Sequence, residues 1–390
     1  MTQYDKVWKW LERDSRDLFT GAHSVHTPHG ISKEIISYIA PQSEEVLVLY
    51  NVEFIISLIN DFDYDPELIT FVSDHLSKSK LVSRMGVKYI MSIDEYTKKN
   101  PVLLINPPYT NGEKDASEIY TQILDKVIDK TDPIAIGAVT PENLINGGQK
   151  KRTLRKKILE NYNFKNVNFL DQARDWNKAI EIDTISWVAT KSHSGVTTVR
   201  GRFLGEEYTT DMTANHLTEL ANGETQEIHD WLIGIQTDKK VPLRTSKKTS
   251  NVGSQVKISK TETDSCAIEN GIEFDSDNDK WRVAFGYMRC NTCAIVPPTV
   301  SVPSKYRYVV FDCEADARKF RDFMISEPVR FIMKVTYTSR TLDAPQINYV
   351  PWIDLSSFNT VDDATLYAHW KTSQDAQDVI KSIVGSEVPF

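Results

Sequence analysis

The amino-acid sequence predicts an α/β protein whose first half forms a doubly wound sheet and whose second half forms a separate α+β domain. Between residues 44 and 192, short apolar runs alternate with longer amphipathic stretches. After about Val196 the sequence becomes irregular and polar, with clustered Thr, Ser and Lys and only short strand-like runs. Because ligands of doubly wound sheets bind beyond the carboxyl ends of the strands, we expect functional residues directly after the apolar runs.

Length and composition support two folded domains. The chain has 390 residues, of which 40% are hydrophobic and 26% are charged, and its formal net charge is −8. These values are typical of globular proteins and exclude fibrous or wholly disordered chains. At roughly 100–200 residues per domain, we place the first domain at residues 1–195 and the second at residues 196–390.

The sequence carries no signal for membrane insertion or secretion. Its longest apolar stretch, 46–59, is interrupted by Asn51 and Glu53 and is shorter than the roughly 20 residues that span a bilayer. The N-terminal residues lack the apolar core of a secretion signal, and 4 cysteines are too few for a disulfide scaffold. We therefore expect a cytoplasmic protein, and we favour a monomer.

The apolar runs of the first domain are predicted to be buried strands, and the stretches between them to be helices. Five runs fit strands: 46–50, 69–73, 102–106, 134–139 and 166–170. The spacing of apolar residues predicts helices over 117–129 and 153–161. In the second domain the same signals predict strands at 283–285 and 306–311 and helices over 314–335 and 362–384.

One tetrapeptide stands where the doubly wound arrangement places a ligand. Asn106-Pro107-Pro108-Tyr109 comes directly after the apolar residues VLLI, 102–105, of a predicted strand and precedes a loop that contains glycine. Such a turn can also simply end a strand, since proline fixes φ and has no N–H to donate. Its position behind a strand favours function, because it combines an Asn side-chain oxygen and a Pro carbonyl, both hydrogen-bond acceptors, with an aromatic ring.

Two converging acceptors suit an exocyclic amine. The lone pair of an aryl amine is delocalised into its ring, and this makes the amine a poor nucleophile. Acceptors on its two hydrogens favour the pyramidal, attacking form and stabilise the positive charge that develops on the nitrogen. This chemistry requires no acid, metal or covalent nucleophile.

With these motifs the sequence resembles the N6-adenine DNA methyltransferases in which the cofactor segment comes first, the catalytic tetrapeptide next and the target-recognition domain last. The resemblance covers most of the chain. It implies a Rossmann-like doubly wound sheet that uses S-adenosylmethionine, followed by an α+β target-recognition domain, as in large type II restriction-modification proteins. It also implies that Asn106, Pro107, Pro108 and Tyr109 act on an adenine flipped out of double-stranded DNA, and that a cognate restriction nuclease is a further partner.

The resemblance assigns several cofactor contacts. Thr27 and Pro28 match the family's leading segment, which packs over the methionine end of S-adenosylmethionine. Asp74 matches the acidic residue that holds the ribose of the cofactor, and Asp94 matches the residue that hydrogen-bonds its adenine. We therefore expect these four residues to line one site with the tetrapeptide.

The segment after the first predicted strand departs from the family pattern. The family has a small-residue loop of the form D-P-x-x-G-x-G, whose glycines let the backbone approach the cofactor. This chain has Tyr50-Asn51-Val52-Glu53-Phe54 there, without a glycine. Two interpretations follow: Tyr50, Asn51 and Glu53 bind S-adenosylmethionine in a reshaped loop, or the site is closed and the chain is a catalytically silent DNA-binding protein.

Two basic stretches are candidate phosphate contacts for double-stranded DNA. Charge runs are most often solvated surfaces, so these stretches gain weight only from the motifs above. The first follows a predicted strand, and the second lies in the second domain. The predicted contacts are Lys150, Lys151, Arg152, Lys239, Lys240, Arg244, Lys247 and Lys248.

Other methyltransferase classes fit the sequence less well. Asn-Pro-Pro-Tyr also occurs in enzymes that methylate a protein glutamine amide or a guanine of ribosomal RNA, but those chains ordinarily lack a long domain after the catalytic sheet. C5-cytosine methylation needs a nucleophilic Cys after Pro, and the cysteines here follow Ser, Arg, Thr and Asp. N4-cytosine methylation stays open as the less favoured alternative, because that chemistry usually has Ser in place of Asn106.

The cysteines raise a separate question of zinc. Cys290 and Cys293 have the spacing of a zinc knuckle, and Cys266 and Cys313 would complete a set of four. There is no second knuckle in the sequence, and buried thiols that behave as small hydrophobes are the commoner arrangement. We therefore predict no metal.

Overall fold

The computed structural model describes residues 27–73, 76–109, 119–146, 149–171, 174–176, 183–192, 195–212, 222–258, 266–275, 277–285, 293–336, 347 and 349–385. The chain divides into two compact units, Met1–Glu224 and Thr225–Phe390.

A mixed sheet, with nine strands in the described part of the chain, forms the centre of the first unit. Numbered along the chain and given in spatial order, the strands are β3 (Lys88–Ile90), β2 (Ile69–Val72), β1 (Val46–Leu49), β4 (Val102–Ile105), β5 (Ala135–Pro141), β7 (Thr184–Thr190), β6 (Asn163–Phe169), β8 (Thr197–Arg200) and β9 (Glu207–Thr210). Strands β1 to β5 are parallel to one another, whereas β7 runs antiparallel to β5 and β6. The strand order reverses between β1 and β4.

Helices cover both faces of this sheet. They are α1 (His29–Ile39), α2 (Val52–Phe62), α3 (Leu76–Arg84), α4 (Ile119–Thr131), α5 (Asn143–Asn146) and α6 (Gln149–Asn161). Alternate residues of a strand point to opposite faces, so Val46 and Val48 pack with α1 and α2, while Leu47 and Leu49 pack with α4 and α6. The predicted doubly wound α/β class and the five predicted strands are confirmed. No helix among the described residues is long and apolar enough to span a bilayer.

The first unit extends farther along the chain than the predicted boundary at residue 195. Strand β8 pairs with β6 and β9 pairs with β8, so both complete the first sheet. Their sequences, TTVR and EYTT, are short and polar and gave no signal of belonging to the apolar sheet. Backbone pairing thus holds the segment 197–210 in the first unit. That unit ends at Glu224.

The second unit combines strands and helices, as the α+β class requires. Strand β12 (Trp281–Phe285) pairs antiparallel with β13 (Cys293–Val296) and β14 (Arg307–Phe311), and β10 (Lys247–Ile258) pairs with β11 (Cys266–Asp275). The helices are α7 (Gln226–Gly234), α8 (Glu314–Ile325), α9 (Glu327–Thr336), α10 (Asp363–His369) and α11 (Gln374–Gly385). Phe320 is fully buried and its ring lies 5.2–6.2 Å from those of Phe285, Phe311, Phe323 and Trp352.

Both helices predicted in the second unit are divided in two. The segment 314–335 breaks at Ser326, whose ψ of 152° is extended, and Pro328 stands in the first turn of the next helix. Proline is tolerated in a first helical turn but not in a helix interior, and a single helix over 314–335 would have Pro328 in its interior. The segment 362–384 breaks near Lys371, which has a φ of 51°. Amphipathic spacing continues across both breaks, so spacing alone did not separate the helices.

Gly137 sets the distance between α1 and the sheet. A Cβ atom on this residue would lie 2.4 Å from Ile35, 2.7 Å from Ile39 and 2.9 Å from Leu104. Gly137→Ala is therefore expected to lower the free energy of unfolding by about 1–3 kcal/mol, as overpacked cores do. Urea denaturation measures the change.

Gly30→Ala is the matched control for this prediction. Gly30 also belongs to α1, but nothing lies within 4 Å of its would-be Cβ. We expect unchanged stability or a gain of about 0.5–1 kcal/mol, since alanine is the better helix former. Equal effects of the two substitutions would contradict close packing at Gly137.

Candidate active site

The reversal of strand order between β1 and β4 defines the candidate site. Ligands of open α/β sheets bind at such a switch point, outside the carboxyl ends of the strands. Leu49 of β1 pairs in register with Ile105 of β4. The residues that follow, Tyr50 and Asn106, therefore begin neighbouring turns at the same edge of the sheet.

Asn106 is joined to Thr27 across the fold. Its Nδ2 donates a hydrogen bond of 2.9 Å to Thr27 Oγ1, and both side chains are buried. Thr27 stands just before α1, whose N-cap is Pro28. Because the bond uses an amide hydrogen, it orients the plane of the Asn106 amide, whose oxygen is the predicted acceptor. The structure thus brings together two predicted segments that lie 79 residues apart in sequence.

Tyr109 is enclosed at the end of the tetrapeptide. Its side chain is 5% exposed, and its hydroxyl has no hydrogen-bond partner among the residues that the structure describes. Burial, together with the nearby Tyr120, raises the pKa of Tyr109 well above its usual value, so the phenol is neutral. Stacking on a base requires a rearrangement of the groups that cover this ring.

Tyr120 and Asn143 extend this region toward β5. The Tyr120 hydroxyl donates to Asn143 Oδ1 at 2.5 Å, and this bond connects α4 to the turn after β5. Neither residue was singled out from the sequence. A Tyr on an amphipathic helix and an Asn after a strand are ordinary packing and turn residues, so neither is distinctive in the sequence. They become candidates for the site because Tyr120 lies near Tyr109 and bonds Asn143.

The connection between β1 and α2 has only two residues, Tyr50 and Asn51. Tyr50 has a φ of 71°, and the Asn51 N–H donates to the Leu49 carbonyl at 3.0 Å. This i to i+2 bond around a left-handed residue has the form of a γ-turn with positive φ, which is rare and strained. Asn51 is the N-cap of α2 but makes no capping hydrogen bond with its side chain. The missing glycine is thus accommodated by a strained tyrosine.

Three polar side chains are buried around this turn. Asn51 is 3%, Glu53 2% and Lys78 5% exposed. Lys78 lies in the first turn of α3, and its Nζ donates to the Tyr50 carbonyl at 2.8 Å. It was not identified from the sequence, because a lysine on an amphipathic helix is usually exposed.

These buried polar side chains suit the polar groups of S-adenosylmethionine. An amide, a carboxylate and an ammonium lie buried at one strand end. Carboxylate and amide oxygens accept hydrogen bonds from ribose hydroxyls and from an amino group, and the first N–H groups of α2 add donors. The chemistry of Asn51 and Glu53 therefore suits a nucleoside that carries an amino-acid chain.

Of the two aspartates assigned to the cofactor, the structure describes only Asp94, because Asp74 lies outside the described residues. The side chain of Asp94 is 62% exposed and bonds Lys126 of α4 at 2.9 Å, with Lys130 at 3.8 Å. The hydrogen bond from Lys126 lowers the pKa of Asp94. These contacts do not include Tyr50 or Asn106, and the adenine-binding role of Asp94 stays a prediction.

A second group of buried charges lies farther along the same edge of the sheet. Arg202, after β8, bonds the fully buried Glu142, after β5, and its other terminal nitrogen lies 3.5 Å from Asp183. Burial opposes the charge of Arg202, but Glu142 and Asp183 outweigh it, and the pKa of Arg202 is raised. Sequence analysis missed this group because its members are far apart in the chain and match no motif.

Glu224 organises the loop that carries Arg202. Its carboxylate accepts hydrogen bonds of 2.9 Å from the backbone N–H groups of Arg202, Phe203 and Leu204. Burial raises the pKa of Glu224, and these N–H donors partly oppose the rise. A Cβ on Gly201 would lie 2.7 Å from the Glu224 backbone, so glycine is required there.

Arg202→Met is expected to lower the free energy of unfolding by about 3–5 kcal/mol, because it removes the cation that offsets the buried charge of Glu142. The matched control is Lys126→Met, which breaks the exposed pair with Asp94. Exposed pairs contribute about 0–1 kcal/mol, so the control should change little in the same urea titration. A decrease for Arg202→Met no larger than that of the control would show that the buried group is unimportant for stability.

The structure describes the side chains of only some of the residues predicted to contact DNA. The backbones of Lys150, Lys151 and Arg152 belong to α6, but their side chains lie outside the described set. The following members of this basic stretch have contacts of their own. Arg155 donates to the carbonyls of Leu144 and Ile145, and Lys157 pairs with Asp125 and Asp129.

In the second unit, Lys239, Lys240, Arg244 and Lys247 are exposed. Arg244 pairs with Asp277 at 2.7 Å, and its backbone bonds Tyr308. Lys248 belongs to β10, but its side chain is not described.

The described residues include no metal-binding cluster. Within them, no group of three His, Cys, Asp or Glu side chains is placed to hold a metal ion. Cys293 is buried and Cys313 is exposed. Cys290 and the side chain of Cys266 lie outside the described set, so the sequence prediction about zinc is untested.

Neither a protein-family model nor a curated protein sequence matches this chain. Solved structures with a similar fold include the M protein of the type I restriction enzyme EcoKI, at 15% identity and a TM-score of 0.37. They also include the type IIG restriction endonuclease BpuSI, at 12% and 0.47, and the type IIL restriction-modification enzyme MmeI in complex with DNA, at 8% and 0.44. The EcoKI match covers 45% of this chain and 48% of the M protein. The BpuSI match covers 95% of this chain and 63% of that chain, and the MmeI match covers 99% of this chain and 74% of that chain.

Proposed function

We propose that this protein is an S-adenosylmethionine-dependent DNA methyltransferase that modifies the N6 amine of adenine in double-stranded DNA. The observation that carries the proposal is the hydrogen bond between Asn106 and Thr27 at the switch point of the sheet. It gives the tetrapeptide a fixed amide at the place where a doubly wound sheet binds its ligand. A turn that merely ended a strand would have no need of this buried polar contact.

The tetrapeptide would act by position and polarisation. The Asn106 side-chain oxygen and the Pro107 carbonyl accept the two hydrogens of the target amine, and they stabilise the positive charge that develops on its nitrogen. Pro108 stiffens the turn, and Tyr109 stacks on the base. When bound, S-adenosylmethionine supplies an electrophilic methyl group to the amine. Because burial raises the pKa of Tyr109, its phenol would stay neutral in the site.

The cofactor would be held at the ends of β1 and β2. We assign Tyr50, Asn51 and Glu53 to this site, together with Thr27 and Pro28 from the segment before α1. Support comes from the burial of Thr27, Asn51 and Glu53 at this edge of the sheet. Asp74 and Asp94 complete the proposal as the ribose and adenine contacts.

The second unit would recognise the DNA target. Flipping a base costs a few kcal/mol and must be offset by backbone contacts. The exposed Lys239, Lys240, Arg244 and Lys247 are suited to this, as are Lys150, Lys151, Arg152 and Lys248 by their sequence positions. Because the net charge of the chain is −8, DNA affinity must come from such local groups. A restriction nuclease that cuts the unmethylated target is the proposed partner.

Asn106→Ala should abolish methyl transfer while leaving DNA binding intact. Removal of one polarising group is expected to lower kcat by about 100-fold or more. Tritium transfer from labelled S-adenosylmethionine to mixed-sequence duplex DNA measures the rate, and nucleoside analysis should identify the product as N6-methyl-2′-deoxyadenosine. The matched control is Asn161→Ala, at the exposed end of α6, which should retain full activity.

Three results would contradict this assignment in different ways. A normal rate for Asn106→Ala would remove the tetrapeptide from catalysis. N4-methyl-2′-deoxycytidine as the product would move the target to cytosine. DNA binding by the unaltered protein without any transfer would favour the catalytically silent alternative.

Charge reversal of Lys240 and Lys247 tests the DNA contacts of the second unit. The double variant should bind mixed-sequence duplex more weakly. The slope of log K against log salt concentration should fall by about 1 for each DNA phosphate that a lysine no longer neutralises. Fluorescence anisotropy over a salt series measures both. Lys381→Glu, an exposed site on α11, is the control for charge reversal at a residue outside the proposed interface. An unchanged slope in the double variant would place these lysines outside the interface.

A further inference from the structure

The position of Lys78 is unfavourable for a lysine for two reasons. Its side chain is 5% exposed, although removing an ammonium from water is costly. It also stands in the first turn of α3, where the helix dipole favours negative charge. A buried cation at a helix N-terminus needs a compensating contact, and its hydrogen bond of 2.8 Å to the Tyr50 carbonyl provides one.

That contact falls on the strained residue of the candidate site. Tyr50 has a φ of 71°, in the left-handed region that bulky side chains rarely adopt. Its two neighbours along the chain are bonded to each other, since the Asn51 N–H donates to the Leu49 carbonyl. The turn therefore holds a conformation that glycine would adopt freely and that tyrosine adopts only when its surroundings impose it.

Both backbone groups of Tyr50 are fixed by one neighbouring segment. The Tyr50 N–H donates to the Val72 carbonyl of β2 at 3.1 Å, and the Tyr50 carbonyl accepts from Lys78 of α3. The segment between Val72 and Lys78 includes Asp74, the proposed ribose contact. The turn after β1 is thus tied to β2 by a backbone bond and to α3 by a bond from a charged side chain.

We propose that Lys78 is a positioning residue of the cofactor site. Its ammonium holds the Tyr50 turn in the left-handed shape and thereby replaces the conformational freedom that glycines supply in a small-residue loop. Lys78 acts through the backbone of Tyr50 and does not touch the reacting atoms. The inference rests on the proposed function, because it assumes that S-adenosylmethionine binds at this turn.

The test is a double-mutant cycle of Lys78→Met and Tyr50→Gly, read out by calorimetric titration with S-adenosylmethionine and with S-adenosylhomocysteine. Lys78→Met should weaken binding of both ligands about tenfold, the scale of a hydrogen bond from a charged group. Lys78→Arg keeps charge and donors and should restore most of the affinity. Lys80→Met, an exposed site on the same helix, should have no effect.

Tyr50→Gly tests whether Lys78 acts by shaping the turn at Tyr50 or only stabilises the fold. Glycine adopts a positive φ without strain, so in this variant the shape of the turn should no longer depend on Lys78, whatever affinity the tyrosine side chain itself contributes. In the Tyr50→Gly background, Lys78→Met should weaken binding only about threefold or less, because the two changes act on one turn and are not additive.

Each contrary result has a distinct meaning. Equal binding by Lys78→Met and the unaltered protein overturns the positioning role, as does an equal loss of affinity in both backgrounds. If Lys78→Met does not fold, Lys78→Gln takes its place in the cycle, and an equal effect of that substitution in the Tyr50 and Tyr50→Gly backgrounds overturns the role. No binding by the unaltered protein overturns the proposed cofactor, and the role of Lys78 with it.

Discussion

The register between β1 and β4 is the constraint on which the candidate site depends. Leu49 lies opposite Ile105, so two turns that are more than fifty residues apart in sequence begin side by side. One turn carries the buried polar residues Asn51 and Glu53, and the other carries the tetrapeptide that begins at Asn106. A shift of one residue in this pairing would turn the side chains of one strand to the opposite face and separate the two groups.

Packing on the two faces of the sheet maintains that register. Alternate residues of β1 pack against different helices, and close contact of α1 with Gly137 brings Thr27 within hydrogen-bonding distance of Asn106. The position of the Asn106 amide thus depends on helix packing some distance from it. A glycine in the middle of β5 thus bears on the position of a side chain at the end of the neighbouring strand β4.

The edge of the sheet concentrates features that a fold would otherwise avoid. They include a left-handed tyrosine, a lysine buried at a helix N-terminus and a buried amide joined to a threonine. Farther along, Glu142 and Arg202 form a buried ion pair. Strain and buried charge lower stability unless something offsets them, and they are typical of functional sites. The tyrosine, the lysine and the amide lie at the switch point between β1 and β4, and this supports the proposal that a ligand binds there.

The sequence predicted those parts of the fold that depend on local pattern. Continuous apolar runs indicated the central strands, and the tetrapeptide was found because it follows one of them. Strands β8 and β9 were assigned to the second domain because TTVR and EYTT carry no apolar run, and only pairing with β6 places them in the sheet. Lys78 and Arg202 were missed for another reason: nothing in a sequence distinguishes a buried lysine or arginine from an exposed one.

Amide hydrogen exchange of the unaltered protein, with and without S-adenosylmethionine, tests the central claim most directly. If the switch point is the cofactor site, exchange should slow in peptides that cover the turns after β1 and β4, residues 50–54 and 106–109, and stay unchanged in β8 and β9. Protection confined to another part of the chain, or no protection at saturating cofactor, would contradict the claim that this edge of the sheet binds S-adenosylmethionine.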